Sequence, residues 1–67
     1  MSKILELREK RAKAWDAAKA FLDAKSQNGT LSAEDTATYE KMEAEVVSMG
    51  KDIESLARQA AIDAELA

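Results

Sequence analysis

From Ser32 to Leu66 the apolar positions advance in steps of three and four: Tyr39, Met42, Val46, Met49, Ile53, Leu56 and Ala60. A step averaging about 3.5 residues is the seam of a coiled coil, whose apolar edge is stable only when buried against another helix. The spacing predicts one long amphipathic helix over about 33–64. The first part of the chain offers a partner for it. Ile4, Leu7, Trp15, Ala18 and Leu22 form a second apolar stripe, interrupted by Arg11 and widened by Ala14 and Phe21. Their spacing follows the 3.6-residue period of a straight helix and predicts a helix over about 3–27.

The polar positions mark where each helix begins and ends. Ser2 is placed to cap the first helix, its hydroxyl accepting from a backbone N–H that the helix leaves unpaired. Asn28-Gly29 is a helix stop, with Gly29 suited to the left-handed conformation at the C′ position. Ser32 is the second cap, and Asp35 three residues later imitates a capping box with Asp in place of Glu. Glu34 and Asp35 stand where the helix dipole favours negative charge. A connection over 28–32 between two amphipathic helices makes an antiparallel hairpin. The expected fold is therefore all-α: a two-helix hairpin that associates further into a helical bundle. At 1.5 Å per residue the helices would span roughly 40 Å and 50 Å. The second therefore overhangs the first at its C-terminal end, where the seam fades into alanines and Asp63. The last eight or so residues are expected to be loosely ordered without a neighbour.

Two residues break these patterns. Gly50 lies inside the second helix, where glycine costs about 1 kcal/mol relative to alanine. It marks a hinge, a close approach by another element, or a tolerated surface position. Arg11 lies in the apolar stripe, and its stem is expected to run along the seam toward an acid such as Glu43 or Glu54. Trp15, the largest apolar side chain, is expected to anchor the hairpin core, with an intermolecular contact as the alternative. Met42 and Met49 suit a seam that tolerates repacking.

Composition sharpens the need for a partner. Sixty-seven residues form a small domain whose core rarely supplies more than a few kcal/mol. With no cysteine and no histidine, disulfides and the usual zinc sites are excluded, and oligomerisation is the remaining route to stability. No apolar run approaches the ~18 residues of a membrane span, and the start lacks the apolar core of a secretion signal. The net charge of −3 is unevenly spread. Residues 1–28 carry seven Lys/Arg and four acids, whereas residues 29–67 carry three and nine. A basic helix followed by an acidic one can pair within the hairpin or with neighbouring copies. Within the first helix, Glu6–Lys10 and Glu9–Lys13 have the favourable order for i,i+4 pairs, at roughly 0.2–0.5 kcal/mol each.

Candidate chemistry is sparse. Glu40, Glu43, Glu45, Asp52 and Glu54 could supply paired carboxylates, but acid–base work needs a cleft that desolvates one of a pair, and a hairpin has none. Ser26, Ser32, Ser48 and Ser55 have no histidine to activate them. No phosphate-binding glycine loop is present, so no catalytic residues and no cofactor are expected. The basic run around Arg8, Lys10, Arg11 and Lys13 would suit nucleic acid. However, Glu6 and Glu9 interrupt it, and it lacks the stacked aromatics of single-strand binders.

One resemblance gives the assembly reading a setting. Leu7-Arg8-Glu9-Lys10-Arg11-Ala12, Ala20-Phe21-Leu22-Asp23, Leu31-Ser32-Ala33-Glu34-Asp35, Met42-Glu43-Ala44-Glu45-Val46 and Ile53-Glu54-Ser55-Leu56 occur in this order. Together, over about residues 3–58, they resemble the N-terminal scaffolding region, or delta domain, of tailed-phage major capsid proteins. The chain departs from that pattern at Trp15, where a smaller aliphatic is usual, and at Gly50. The resemblance implies a segment held inside the procapsid in the host cytoplasm, where contacts among copies through the seam drive shell assembly. It further implies removal by a maturation protease, and possible contact with capsid shell domains or the portal. A generic coiled-coil adaptor for another helical partner is the main alternative, and a basic nucleic-acid-binding hairpin a weaker one.

Overall fold

The computed structural model describes residues 2–67 and contains two helices, α1 (Lys3–Lys25) and α2 (Ala33–Leu66). They pack against each other as an antiparallel hairpin, with no strand among the described residues. The molecule measures 56 × 20 × 13 Å, its length set by the 34 residues of α2.

The two ends of α1 are built differently from the sequence expectation. Ser2 occupies the N-cap in extended conformation, but its side chain makes no capping bond; only its carbonyl accepts, from Glu6 N–H at 3.1 Å. At the other end α1 stops at Lys25, two residues before the expected Gln27. The Ser26 hydroxyl donates to the Leu22 carbonyl at 2.6 Å, and Ser26 N–H donates to the same oxygen at 2.9 Å. A serine bonded back to its own preceding turn competes with continuing the helix. The chain then turns through Gly29, whose N–H donates to Ser26 at 2.8 Å and whose φ of 85° is left-handed. An alanine there would be strained, so this glycine is conformationally required. The second cap forms as expected: Ser32 Oγ accepts from Asp35 N–H at 3.0 Å.

The core is one thin layer between the helices. Among the described residues Ala18, Val46 and Ile53 are the only buried hydrophobic ones, and no large side chain is fully enclosed. Ile4, Leu7, Ala14, Phe21 and Leu22 from α1 and Tyr39, Met42, Met49 and Leu56 from α2 are half-buried around them. The α2 seam therefore runs through Leu56 in the expected register, and it is consumed within the hairpin. Ala60 drops out because α1 has ended by that level. From Arg58 onward every residue is exposed, although the helix continues to Leu66 rather than fraying in the last eight residues. Alanine-rich sequence has the backbone propensity to stay helical without a packing partner.

Candidate association groove

One flank of the hairpin carries an open groove of about 750 Å³. Arg8, Arg11, Ala12 and Trp15 line it from α1; Glu43, Val46, Val47, Gly50, Ile53 and Glu54 line it from α2. Its floor is apolar and its two rims carry opposite charge.

Trp15 is one wall of this groove rather than part of the core. It is 36% exposed, while its neighbours Ala14 and Ala18 face α2. The reason lies in the step after Arg11. A seam in steps of three and four places Ala14, not Trp15, at the interface, and the small Ala14 and Ala18 let the helices approach closely there. Val47 is 49% exposed on the opposite wall and stands to Val46 as Trp15 stands to Ala14. Each is an apolar residue one step off the seam. Such a pair of adjacent apolar residues, Ala14-Trp15 and Val46-Val47, is the sequence signal that would have revealed the groove.

Arg11 forms the groove's central fixture. Its Nε donates to the Val46 carbonyl at 2.9 Å, rather than reaching the Glu43 or Glu54 carboxylates expected for it. That carbonyl already lies within the α2 hydrogen-bond ladder, and its second lone pair takes the guanidinium. The space for this is supplied by Gly50. A β-carbon on Gly50 would stand 2.7 Å from Arg11 Nη2 and 2.8 Å from Cζ. Of the three readings of Gly50, the structure selects the close approach. The glycine is a notch that lets an arginine head lie flat on the helix backbone, while its stem replaces an apolar seam residue.

The charged side chains make few contacts between the helices. Among the described residues the ion pairs are Asp16–Lys19 at 3.6 Å and Glu54–Arg58 at 4.0 Å, each within one helix and exposed. The expected Glu6–Lys10 and Glu9–Lys13 pairs do not close. Long exposed side chains gain too little from such a pair to be held in one geometry. Lys19 Nζ also sits 5.9 Å from the Trp15 ring centroid, within cation–π range. On α2, the Tyr39 hydroxyl donates to Glu43 Oε2 at 3.0 Å. This bond to the carboxylate, helped by partial desolvation and by the charge of Glu43, holds the Tyr39 pKa above its ordinary value. The basic-to-acidic asymmetry between the helices is thus not spent inside the hairpin.

Among the described residues no cluster of His, Cys, Asp or Glu is arranged to hold a metal ion, and no helix is long and apolar enough to cross a membrane. Of the residues singled out in the sequence, Ala18, Val46 and Ile53 are buried, Ile4, Leu7, Leu22, Tyr39, Met42, Met49 and Leu56 are half-buried, and Trp15 is exposed on the groove wall. Comparison with known protein families, with curated proteins and with solved structures finds no match to this chain.

Proposed function

We propose that this chain is a structural assembly module that self-associates, and that it serves as the internal scaffolding segment of a tailed-phage capsid precursor. The observation that carries the assembly reading is a mismatch between core and surface. Among the described residues three buried side chains hold the hairpin, while Trp15 and Val47 line an open apolar groove. A core of that size leaves a domain marginal, and covering the groove is one way to bury more apolar surface.

The phage setting rests on the resemblance of residues 3–58, with their ordered pieces before and after the turn. In that setting copies of the hairpin gather beneath the shell of the procapsid in the host cytoplasm and hold the shell domains together during assembly. The maturation protease then removes them. Because the seam residues are occupied within each hairpin, contacts among copies use the groove in place of the seam.

The test is assembly of a capsid precursor that carries this segment. Val47→Glu places a charge on the groove wall at a position already half exposed, so the hairpin itself should survive. The expected result is loss of closed shells in favour of open or aberrant assemblies. Closed shells at the normal yield from both Val47→Glu and a precursor lacking residues 2–67 would overturn the scaffolding role.

A further inference from the structure

The occupant of the groove can be argued from its rims. Along α1, Arg8 and Trp15 stand in the groove wall, and the exposed Lys19 follows one turn beyond with its ammonium over the Trp15 ring, giving steps of seven and four. Along α2, read in the opposite direction, the wall reads Glu54, Val47, Glu43, again in steps of seven and four. An antiparallel α1 laid on α2 would therefore match Arg8 to Glu54, Trp15 to Val47 and Lys19 to Glu43 at once. Within one hairpin this match is not made. Glu54 contacts Arg58 and Lys19 contacts Asp16, while the guanidinium of Arg11 is bound to the Val46 carbonyl and reaches no acid.

We infer that the groove receives a second copy of this chain in an isologous dimer, with α1 of each copy lying antiparallel on α2 of the other. This rests on the self-association proposed above and specifies its geometry. The two-fold axis runs along the length of the hairpin. The hairpin's own register makes this feasible. Arg11 lies across from Val46 and Gly50, and Leu7 shares a surface patch with Asp52 and Leu56. Arg8 and Glu54 thus stand at nearly one level along the molecule, and rotation about its long axis brings each above the other's counterpart without a shift. A two-fold axis across the hairpin would instead set α1 on α1 and α2 on α2, bringing like-charged rims together, which is unfavourable.

The contacts Glu54 and Lys19 now make are exposed and weak, and the Glu43 oxygen bonded to Tyr39 is Oε2, which leaves Oε1 for Lys19 of a neighbour. The result is a four-helix bundle in which every neighbouring pair of helices is antiparallel.

A charge-swap experiment distinguishes this arrangement from others. Arg8→Glu and Glu54→Arg are made separately, and mass is followed by sedimentation equilibrium at low ionic strength, with helicity in parallel. Each variant alone sets like charges against each other twice per dimer and should dissociate at least about tenfold more readily. An equimolar mixture should recover a 1:1 heterodimer of wild-type affinity, because both intermolecular pairs become attractive again. Recovery on mixing holds as evidence even if the separate variants lose helix. Wild-type self-association with unaffected single variants, or with no recovery on mixing, would overturn this geometry and leave assembly standing. A wild-type chain monomeric at all concentrations would overturn both.

Discussion

Arg11 lies on the backbone of α2 at Gly50, its guanidinium occupying the volume that any side chain at position 50 would need. The two anomalies of the sequence, a charge in the apolar stripe and a glycine in a long helix, are therefore one feature. A glycine-to-alanine change inside a helix gains about 1 kcal/mol from backbone propensity. Here it also displaces the guanidinium from the Val46 carbonyl, a bond of similar net worth at a half-buried site. Gly50→Ala should therefore change hairpin stability by less than about 0.5 kcal/mol, whereas the same change in an Arg11→Ala background should stabilise by about 1 kcal/mol. A double-mutant cycle by urea unfolding reads the difference. Strict additivity would mean that the two residues do not interact in solution.

Arg11 enters the seam only because its guanidinium has a backbone partner, and an unpartnered charge has no such place on α2. Val46 and Ile53 are each 8% exposed, so aspartate at either position would place a carboxylate between the helices with no partner. Val46→Asp or Ile53→Asp should cost more than about 3 kcal/mol, enough to unfold so small a domain. Far-ultraviolet circular dichroism should show the helix signal collapse. A retained helical spectrum and melting curve would exclude the packing described for this seam.

Tyr39 reports on the N-terminal part of α2. Its neutral form is the one that donates to Glu43, so its pKa is raised and the contact is present at neutral pH. The sign follows directly: any stability it adds is complete below the unfolded tyrosine pKa and is lost as pH rises through the folded value. Glu43→Gln should bring the Tyr39 titration, followed by ultraviolet absorbance, back toward the ordinary tyrosine range. An identical titration in the two proteins would show that the bond is not populated.

The C-terminal overhang is separable from the hairpin. Residues 58–67 are all exposed, and Ile62 and Leu66 sit four apart on a stretch that α1 does not reach. Ending the chain at Ala57 should lower total helicity while leaving both the urea midpoint and the association constant close to their original values. If association disappears with the overhang, the interface lies there and not at the groove.

Much of this fold is legible in the sequence, for physical reasons that differ between residues. The α2 seam from Tyr39 to Leu56, the Ser32 cap and the Gly29 turn all rest on local rules with one outcome each. The place of Trp15 is not legible in the same way, because a step of three or of four after Arg11 satisfies the same helix, and only the packing of the buried Ala18 against α2 decides between them. The end of α1 depended on a hydroxyl bonding back to Leu22, which competes with the helix on nearly equal terms. The groove required a view across both helices. Its walls are the residues beside the seam, and its fixture is an arginine whose space is supplied by a glycine on the other helix.

The claim on which the account turns is that the hairpin is a subunit and not a finished monomer. Sedimentation equilibrium of the unaltered chain over a wide concentration range, with helicity measured on the same samples, addresses it most directly. The expected result is a mass that rises with concentration from one chain toward two, with helix content rising alongside as the groove is covered. A single-chain mass at every concentration, with full helicity throughout, would contradict it.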